Sequence, residues 1–298
     1  MDGVLIIDKP VGPSSHDVVA RMRRATGVKR IGHTGTLDPL ASGVLALVVG
    51  RACRLAQFLS SSDKEYEAQV RLGLETDTYD VTGRPVEPAD GAEPPPLPER
   101  RQVERLLEEF RGPLLQEPPS FSAKKIGGAR AYALARRGTP VRPAAAAVTV
   151  HRIELQEMAG DVLWIRLTCS AGFYVRSLAH DLGVRLGTGG CLAALRRVRS
   201  GEFGLDRAVT LERAEQPGVA AASLVPISDL LLAVPGLVLT DDGARRAARG
   251  NLIGPSHLRG KAPSAADRVR LLDQEGRLIA IAEPTAEPGF LHPGIVVG

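Results

Sequence analysis

Gly32-His33-Thr34-Gly35-Thr36-Leu37-Asp38-Pro39-Leu40-Ala41-Ser42-Gly43 sets one carboxylate, Asp38, in a loop of glycines and hydroxyls. Glycine takes positive φ without steric cost, so three of them in twelve residues predict a backbone bent for close approach. Pro39 biases Asp38 toward extended geometry and so off any helix. The following run, Val44-Leu45-Ala46-Leu47-Val48-Val49, reads as a buried strand. Upstream, Ser14 or Ser15 can cap a basic helix reaching about Thr26, with Val18, Val19 and Met22 on its apolar face. A carboxylate at the mouth of a core strand can act as nucleophile or base if its neighbours tune it. An isolated Asp-Pro is more often a turn whose side chain bonds its own backbone. The whole string, rather than the dipeptide, argues for the functional reading.

Working outward, residues 4–8 read as a strand and Arg51–Leu59 as a short amphipathic helix. Tyr66, Ala68, Val70 and Leu72 alternate with Glu65, Glu67, Gln69 and Arg71, the period of a half-buried strand. Residues 82–98 hold six prolines and read as a surface loop leading to a helix near Glu99–Phe110. Gly127-Gly128 precedes Ala129–Arg137, which reads as a short helix ended by Gly138. Two strands are expected at about 147–157 and 161–170, then a helix from about Tyr174 to Leu186. Strands interspersed with helices, without regular βαβ alternation, predict an α+β domain on a mixed or antiparallel sheet. The texture changes near Pro235, so the expected division is 1–234 and 235–298. In the second part, Asp241 or Asp242 can cap a helix over Ala244–Arg249. Arg268–Leu272 and Arg277–Ile281 flank a hairpin signal, Asp273-Gln274-Glu275-Gly276.

The 298 residues are 44% apolar and 24% charged, as in ordinary globular chains, while aromatics are only 4%. The core must therefore rest on Leu, Val, Ile and Ala. No apolar run approaches the roughly 18 residues of a membrane span, and no signal peptide is visible. Cys53, Cys169 and Cys191 are odd in number and scattered, which argues against a disulfide framework and for a reducing cytoplasm. The histidines show no zinc spacing with them, so a metal is not expected. Net charge is a modest +4, but its distribution is uneven. Residues 120–152 carry seven basic side chains and no Asp or Glu, and residues 162–201 carry six arginines against Asp181 alone. A single such run is as readily a solvated surface. Two of them beside a candidate catalytic loop favour a phosphate-backbone binder.

The Asp38 string resembles the catalytic motif of the TruB family, the bacterial tRNA pseudouridine-55 synthases. Further blocks follow in the family's order. These are Gly3-Val4-Leu5-Ile6-Ile7-Asp8-Lys9-Pro10 with Ser14-Ser15-His16-Asp17, Lys64-Glu65-Tyr66, and Thr76-Asp77-Thr78 with Asp80. Ser122-Ala123 with Lys125, Gly172-Phe173-Tyr174-Val175-Arg176, and Leu195-Arg196-Arg197 complete the set. The resemblance covers about residues 3 to 205. It implies an essential carboxylate at Asp38 and its charge partner at Arg176, whose guanidinium would orient it. It implies a uridine pocket with Tyr66, which could also serve near C5 of the base, Tyr174 and Leu195. Asp80 stands behind that pocket, and His33 enters the RNA loop to hold its flipped-out form. From spacing alone Arg176 reads as a surface helix residue, the tyrosines as core, and His33 and Asp80 as ordinary loop residues. Phe173 stands where relatives commonly carry Thr, which touches packing rather than a reacting atom.

The resemblance further implies an RNA-closing insertion at about 82–142. Lys124, Lys125, Arg130, Arg136, Arg196 and Arg197 are the expected RNA-backbone contacts. A small PUA-like RNA-binding domain is expected at the C-terminus. Isomerising uridine breaks N1–C1′ and rejoins the base through C5 without redox change, so no cofactor is expected. The carboxylate could attack the base, attack the ribose or abstract a ribose proton. The expected partner is the T-arm of tRNA, met by a monomer without a protein partner or membrane. Two alternatives stand beside this reading: a guide-RNA-dependent synthase, and a tRNA chaperone without chemistry. A pure binder does not need an acid aimed at RNA.

Overall fold

The computed structural model describes residues 1–86, 96–121, 143–260 and 266–298, and the backbone alone of residues 125–126 and 129–130. Within it the chain runs β1 (Gly3–Lys9), α1 (Ser15–Thr26), β2 (Ile31–His33), β3 (Ala41–Val49), a 3-10 turn over Gly50–Leu55, α2 (Ala56–Ser60) and β4 (Lys64–Leu72). After the proline-rich stretch come α3 (Arg100–Glu109), β5 (Gly112–Gln116), β6 (Lys125–Ile126), β7 (Ala129–Arg130), β8 (Ala146–Ala159), β9 (Val162–Cys169), α4 (Val175–Leu186) and β10 (Gly190–Ser200). Short strands β11 (Phe203–Gly204), β12 (Val209–Thr210) and β13 (Leu224–Pro226) follow. The chain ends with β14 (Gly236–Val238), α5 (Asp241–Ala248), β15 (Val269–Leu272), β16 (Leu278–Pro284) and β17 (Leu291–Val296).

The main sheet has the order β12-β1-β3-β10-β4-β9-β8-β5. Most pairs are antiparallel, but β10 runs parallel to β3 and β12 parallel to β1, so the sheet is mixed. The α+β expectation holds. Alternation along the strands divides two cores. Leu5, Ile7, Leu45, Leu47, Ala68 and Val70 face α1, α3 and α4 through Val18, Met22, Val103, Leu107, Leu178 and Leu182. On the other face, Val4, Ile6, Val44, Ala46 and Val48 pack with Leu55, Leu59, Phe203 and the C-terminal residues Leu278, Ile281 and Val297. The C-terminal strands form their own sheet, β14-β15-β16-β17, with α5 against it. Among the described residues no helix is long and apolar enough to cross a membrane.

Local chemistry explains the boundaries near the Asp38 loop. Ser14 is the N-cap of α1: its Oγ accepts from the Asp17 N–H, and the Asp17 carboxylate accepts from the Ser14 N–H. This reciprocal box satisfies two otherwise orphaned donors. Of the three glycines in the opening string, Gly43 takes positive φ, +100°. A Cβ there would lie 2.2 Å from the Arg197 carbonyl oxygen, so the close approach of β3 to β10 requires glycine. Gly183 serves α4 in the same way, since a Cβ would lie 2.1 Å from the Gly190 nitrogen at the start of β10.

Three sequence expectations shift. Arg51–Leu59 is a 3-10 turn running into a short α-helix rather than one amphipathic helix. Thr240, not an aspartate, caps α5, because its hydroxyl accepts from the Gly243 N–H and lets the helix start at Asp241. The helix expected from Ala129 does not begin there. Ala129–Arg130 is a strand paired antiparallel with Lys125–Ile126, and residues 131–137 lie outside the described residues.

Candidate active site

Asp38 sits between α1 and β3 in a loop tied down on every side. The Ser15 hydroxyl donates to the Leu37 carbonyl (2.9 Å) and accepts from the Leu37 N–H (2.8 Å). The Gly12 N–H donates to the Pro39 carbonyl, and the Ala41 N–H donates to that of Asp38. The carboxylate itself remains 40% exposed. The loop is thus fixed in place while its carboxylate stays open to the cavity.

Arg176, in the first turn of α4, is buried and meets Asp38 from the opposite wall. Its Nε donates to Asp38 Oδ2 at 2.9 Å, while its Nη1 and Nη2 donate to the carbonyls of Thr78 (3.1 Å) and Phe121 (2.8 Å). Asp80 Oδ2 lies 3.8 Å from Nη1. The other Asp80 oxygen accepts from the Thr82 N–H (3.0 Å), the Thr82 hydroxyl (2.5 Å) and the Thr78 hydroxyl (3.1 Å). Asp80 therefore shapes the loop that presents Thr78 to the guanidinium. The start of α4 is fixed without a side-chain cap of its own. Gln116 on β5 accepts from the Tyr174 N–H (2.8 Å) and donates to the Tyr174 carbonyl (3.0 Å), and Ser177 Oγ donates to the Glu117 carbonyl (2.7 Å).

The Asp38–Arg176 pair separates two openings. One, of about 230 Å³, lies between the Gly35–Asp38 loop and the chain around Gly172–Arg176, with Tyr66, Phe173, Tyr174, Leu195 and Arg197 in its walls. The second, of about 440 Å³, is walled by Ser14, His16, Leu40, Thr78, Asp80 and Phe121. The first combines aromatic and aliphatic walls with a carboxylate and a guanidinium, a composition suited to a planar base.

Two lysines are buried near the Asp38 loop, Lys64 in the wall of the smaller opening and Lys9 outside both. Lys9 is fully buried and donates to the carbonyls of Pro10 (2.9 Å) and Pro13 (2.8 Å). Lys64 donates to the carbonyls of Ser60 and Ser62. Burial pulls both ammonium groups down to about 8, an effect the Asp38 charge opposes at Lys9 and the Arg197 charge reinforces at Lys64. Burial pushes the Tyr66 phenol up, and the neighbouring Arg197 charge works against that rise.

The structure thus brings Asp38, Arg176, Tyr66, Tyr174 and Leu195 around one cavity, with Asp80 lining the other. His33 lines neither. At the end of β2 it meets His16 edge-on, with ring centroids 5.4 Å apart. Arg196 lies on the opposite face of the sheet from Tyr66, paired with Asp8 at 2.8 Å. Lys124 and Arg136 lie outside the described residues, and Lys125 and Arg130 are described only as backbone of the β6–β7 pair. The expected phosphate contact at Arg197 is corrected. The residue is 2% exposed and its guanidinium is occupied by carbonyls of this protein, so it is not free to reach a phosphate. Residues that carried no signal in the sequence are Gln116 and Phe121, while Lys9 and Lys64 stood inside matched blocks but were given no role, because a Gln or Lys reads as surface until its partners are known. Among the described residues no three His, Cys, Asp or Glu side chains gather as a metal site requires.

With this geometry in hand, the likeness to known proteins is informative. A model of the TruB family pseudouridylate synthase N-terminal domain matches residues 23–175, and one of the tRNA pseudouridylate synthase B C-terminal domain matches residues 176–223. The tRNA pseudouridine synthase B of Solibacter usitatus is 43% identical over 300 residues, covering all of both chains. That of Geobacter sulfurreducens is 42% identical, covering 96% of this chain and 94% of its own. Among solved structures, a chain of an H/ACA RNP bound to a substrate RNA containing 2'-deoxyuridine superposes with a TM-score of 0.74 at 23% identity, over 99% of this chain and 85% of that one. At that identity the likeness speaks for the fold. Sequence identity along the whole length, the matched domain models and the shared fold agree, and the chain belongs to the TruB family of pseudouridylate synthases.

Proposed function

We propose that this enzyme isomerises uridine 55 in the T loop of tRNA to pseudouridine, with Asp38 as the acting carboxylate. The observation that carries the reading is the buried Arg176 guanidinium holding a half-exposed Asp38 at the rim of an aromatic-walled pocket. The relatives named tRNA pseudouridine synthase B support the choice of tRNA. A uridine inside a folded loop must leave its stack to reach Asp38, and the Tyr66 and Tyr174 rings offer replacement stacking worth about 1–3 kcal/mol. Atoms balance within the substrate. N1–C1′ breaks, C5–C1′ forms, the C5 proton leaves and N1 takes one up. Arg176 keeps the carboxylate aimed while the base turns, and Tyr66, beside it in the pocket, stands near the base edge.

In this reading the enzyme works as a cytoplasmic monomer without a guide RNA or protein partner, since the insertion at about 82–142 supplies RNA contacts in the same chain. The C-terminal sheet with α5 serves as a PUA-like RNA-binding domain, subordinate to recognition of T-arm shape. The test is incubation of purified protein, with nothing added, with unmodified tRNA transcript and with an isolated T-arm hairpin, followed by carbodiimide mapping. Pseudouridine is expected at position 55 in both. Asp38→Asn should abolish turnover with tRNA affinity held within about tenfold, because a near-isosteric change removes chemistry rather than backbone contacts. Multiple turnover by that variant would overturn the role of Asp38, and modification of transcript but not hairpin would overturn the T-arm reading.

A further inference from the structure

Arg197 is a buried guanidinium whose bonds go not to a carboxylate but to the Asp38 loop and its strand. Nε donates to the Val44 carbonyl (2.8 Å), Nη2 to that of Gly35 (3.1 Å) and Nη1 to that of Thr36 (3.4 Å). Among the described residues no carboxylate pairs with it within 4 Å. Burying a charge without a counter-ion is expensive, so the arrangement persists only where the surrounding structure fixes it.

Its place in the sheet is equally specific. Arg197 stands opposite Gly43 of β3 on one side and Tyr66 of β4 on the other. One side chain therefore reaches the two residues that begin the Gly35–Asp38 turn, the strand that follows it, and, across the β10–β4 pair, the position of Tyr66 on the same wall of the pocket. The planar fork of five donors makes this possible; a lysine ammonium, a single point on a flexible stem, cannot span the same carbonyls.

We infer that Arg197 is a positioning residue of the isomerisation, which fixes the distance between the Asp38 carboxylate and the Tyr66 phenol by bonding the carbonyls of the catalytic loop from the strand facing Tyr66. It touches the pocket wall but acts through those two side chains. The inference rests on Asp38 as the acting carboxylate. Turnover by Asp38→Asn would remove that foundation, whereas failure of the inference itself leaves Asp38→Asn inactive.

The experiment uses the full chain with unmodified tRNA transcript, and reads the single-turnover rate of pseudouridine formation beside the tRNA Kd. The variants are Arg197→Lys and Arg197→Ala. The control is Val70→Ala, a fully buried core residue of β4 that lines neither opening and whose loss leaves the loop untouched. A displacement of about 1 Å costs about a hundredfold in rate, so Arg197→Lys should lose about that much while its Kd moves less than about threefold. Val70→Ala, compared at a temperature equally far below its own Tm, should lose less than about threefold in rate. Ethylguanidinium at millimolar concentration should raise the rate of Arg197→Ala at least about tenfold and that of Val70→Ala not at all, since the cavity matches only the deleted group. A rate loss no larger than that of Val70→Ala, or one found wholly in the Kd, would overturn the inference. If Arg197→Ala does not fold, the Arg197→Lys split decides alone.

Discussion

The two faces of β4 and β10 handle charge in opposite ways. On the pocket face, Lys64 and Arg197, with Lys9 nearby, are buried and spend their hydrogen bonds on backbone carbonyls. On the back face half-exposed cations meet carboxylates instead. Arg166 pairs with Glu65 (2.7 Å) and Glu67 (3.8 Å), Arg199 with Glu65 (3.2 Å) and Arg196 with Asp8 (2.8 Å). Exposed pairs of this kind contribute about 0–1 kcal/mol each and tolerate rearrangement. A cation bonded to carbonyls in a dry site has no such freedom, because moving it strands its charge. Within one sheet, then, the exposed face carries replaceable electrostatics and the buried face carries geometry.

Breaking the buried arrangement at its tightest point should have the largest effect. Gly43→Ala puts a Cβ 2.2 Å from the Arg197 carbonyl oxygen at a φ of +100°, so strands β3 and β10 must separate. A loss of about 3 kcal/mol or more is expected in urea unfolding, together with a fall in pseudouridine formation. A loss under about 1 kcal/mol would show that the contact between the strands is soft.

Lys64→Met probes the same face through pH. The folded Lys64 pKa, about 8, lies below its ordinary value of 10.5, so between these two the unfolded chain binds more protons. Stability from this group therefore rises as pH climbs from about 8 to 10.5, and below pH 8 the buried charge is a standing penalty. Cys169 and Cys191, pushed by burial up to about 12 and about 11, pull the other way above pH 9. The measurement is accordingly the difference between the variant and the wild type. The variant's advantage should shrink across that window by on the order of 2 kcal/mol. A difference that is flat with pH would mean Lys64 titrates as if exposed.

The smallest effect belongs to the back face. Glu67→Gln should change stability by no more than about 0.5 kcal/mol and leave the rate of modification unaltered. A clear loss of activity there would erase the contrast between the faces.

Alternation made β4 legible and an unbroken apolar run made β3 legible, and β9 and α4 also fall within a few residues of their expected bounds. It was less informative where one turn type competes with another, as over Gly50–Leu55, where 3-10 bonding replaced an α-helical start. The antiparallel pairing of Lys125–Ile126 with Ala129–Arg130 shows the same limit, because a Gly-Gly pair before a helix-forming run reads as a helix entry until the partner strand is known. For the site, Asp38, Arg176, Tyr66 and Tyr174 were named because their strings are characteristic of a family. Composition alone would have left Arg176 on a surface. Arg197 was misread for a physical reason. An arginine in a basic run resembles a phosphate contact, and only the register of β10 against β3 and β4 turns its side chain toward carbonyls.

That register has a consequence for synthesis. β10 lies between β3 and β4, its neighbours in space, yet Leu195 pairs with Ala41 across more than half of the chain. Contacts so distant in sequence form late, and chains emerge from the ribosome at about 5–20 residues per second. A nascent chain that has released Asp38 but not yet Ser200 therefore holds its acid in a loop that lacks the bonds from Arg197, beside a sheet split down the middle. A product truncated before β10 is therefore expected to carry the motif without the wall that Leu195 and Arg197 supply to the pocket.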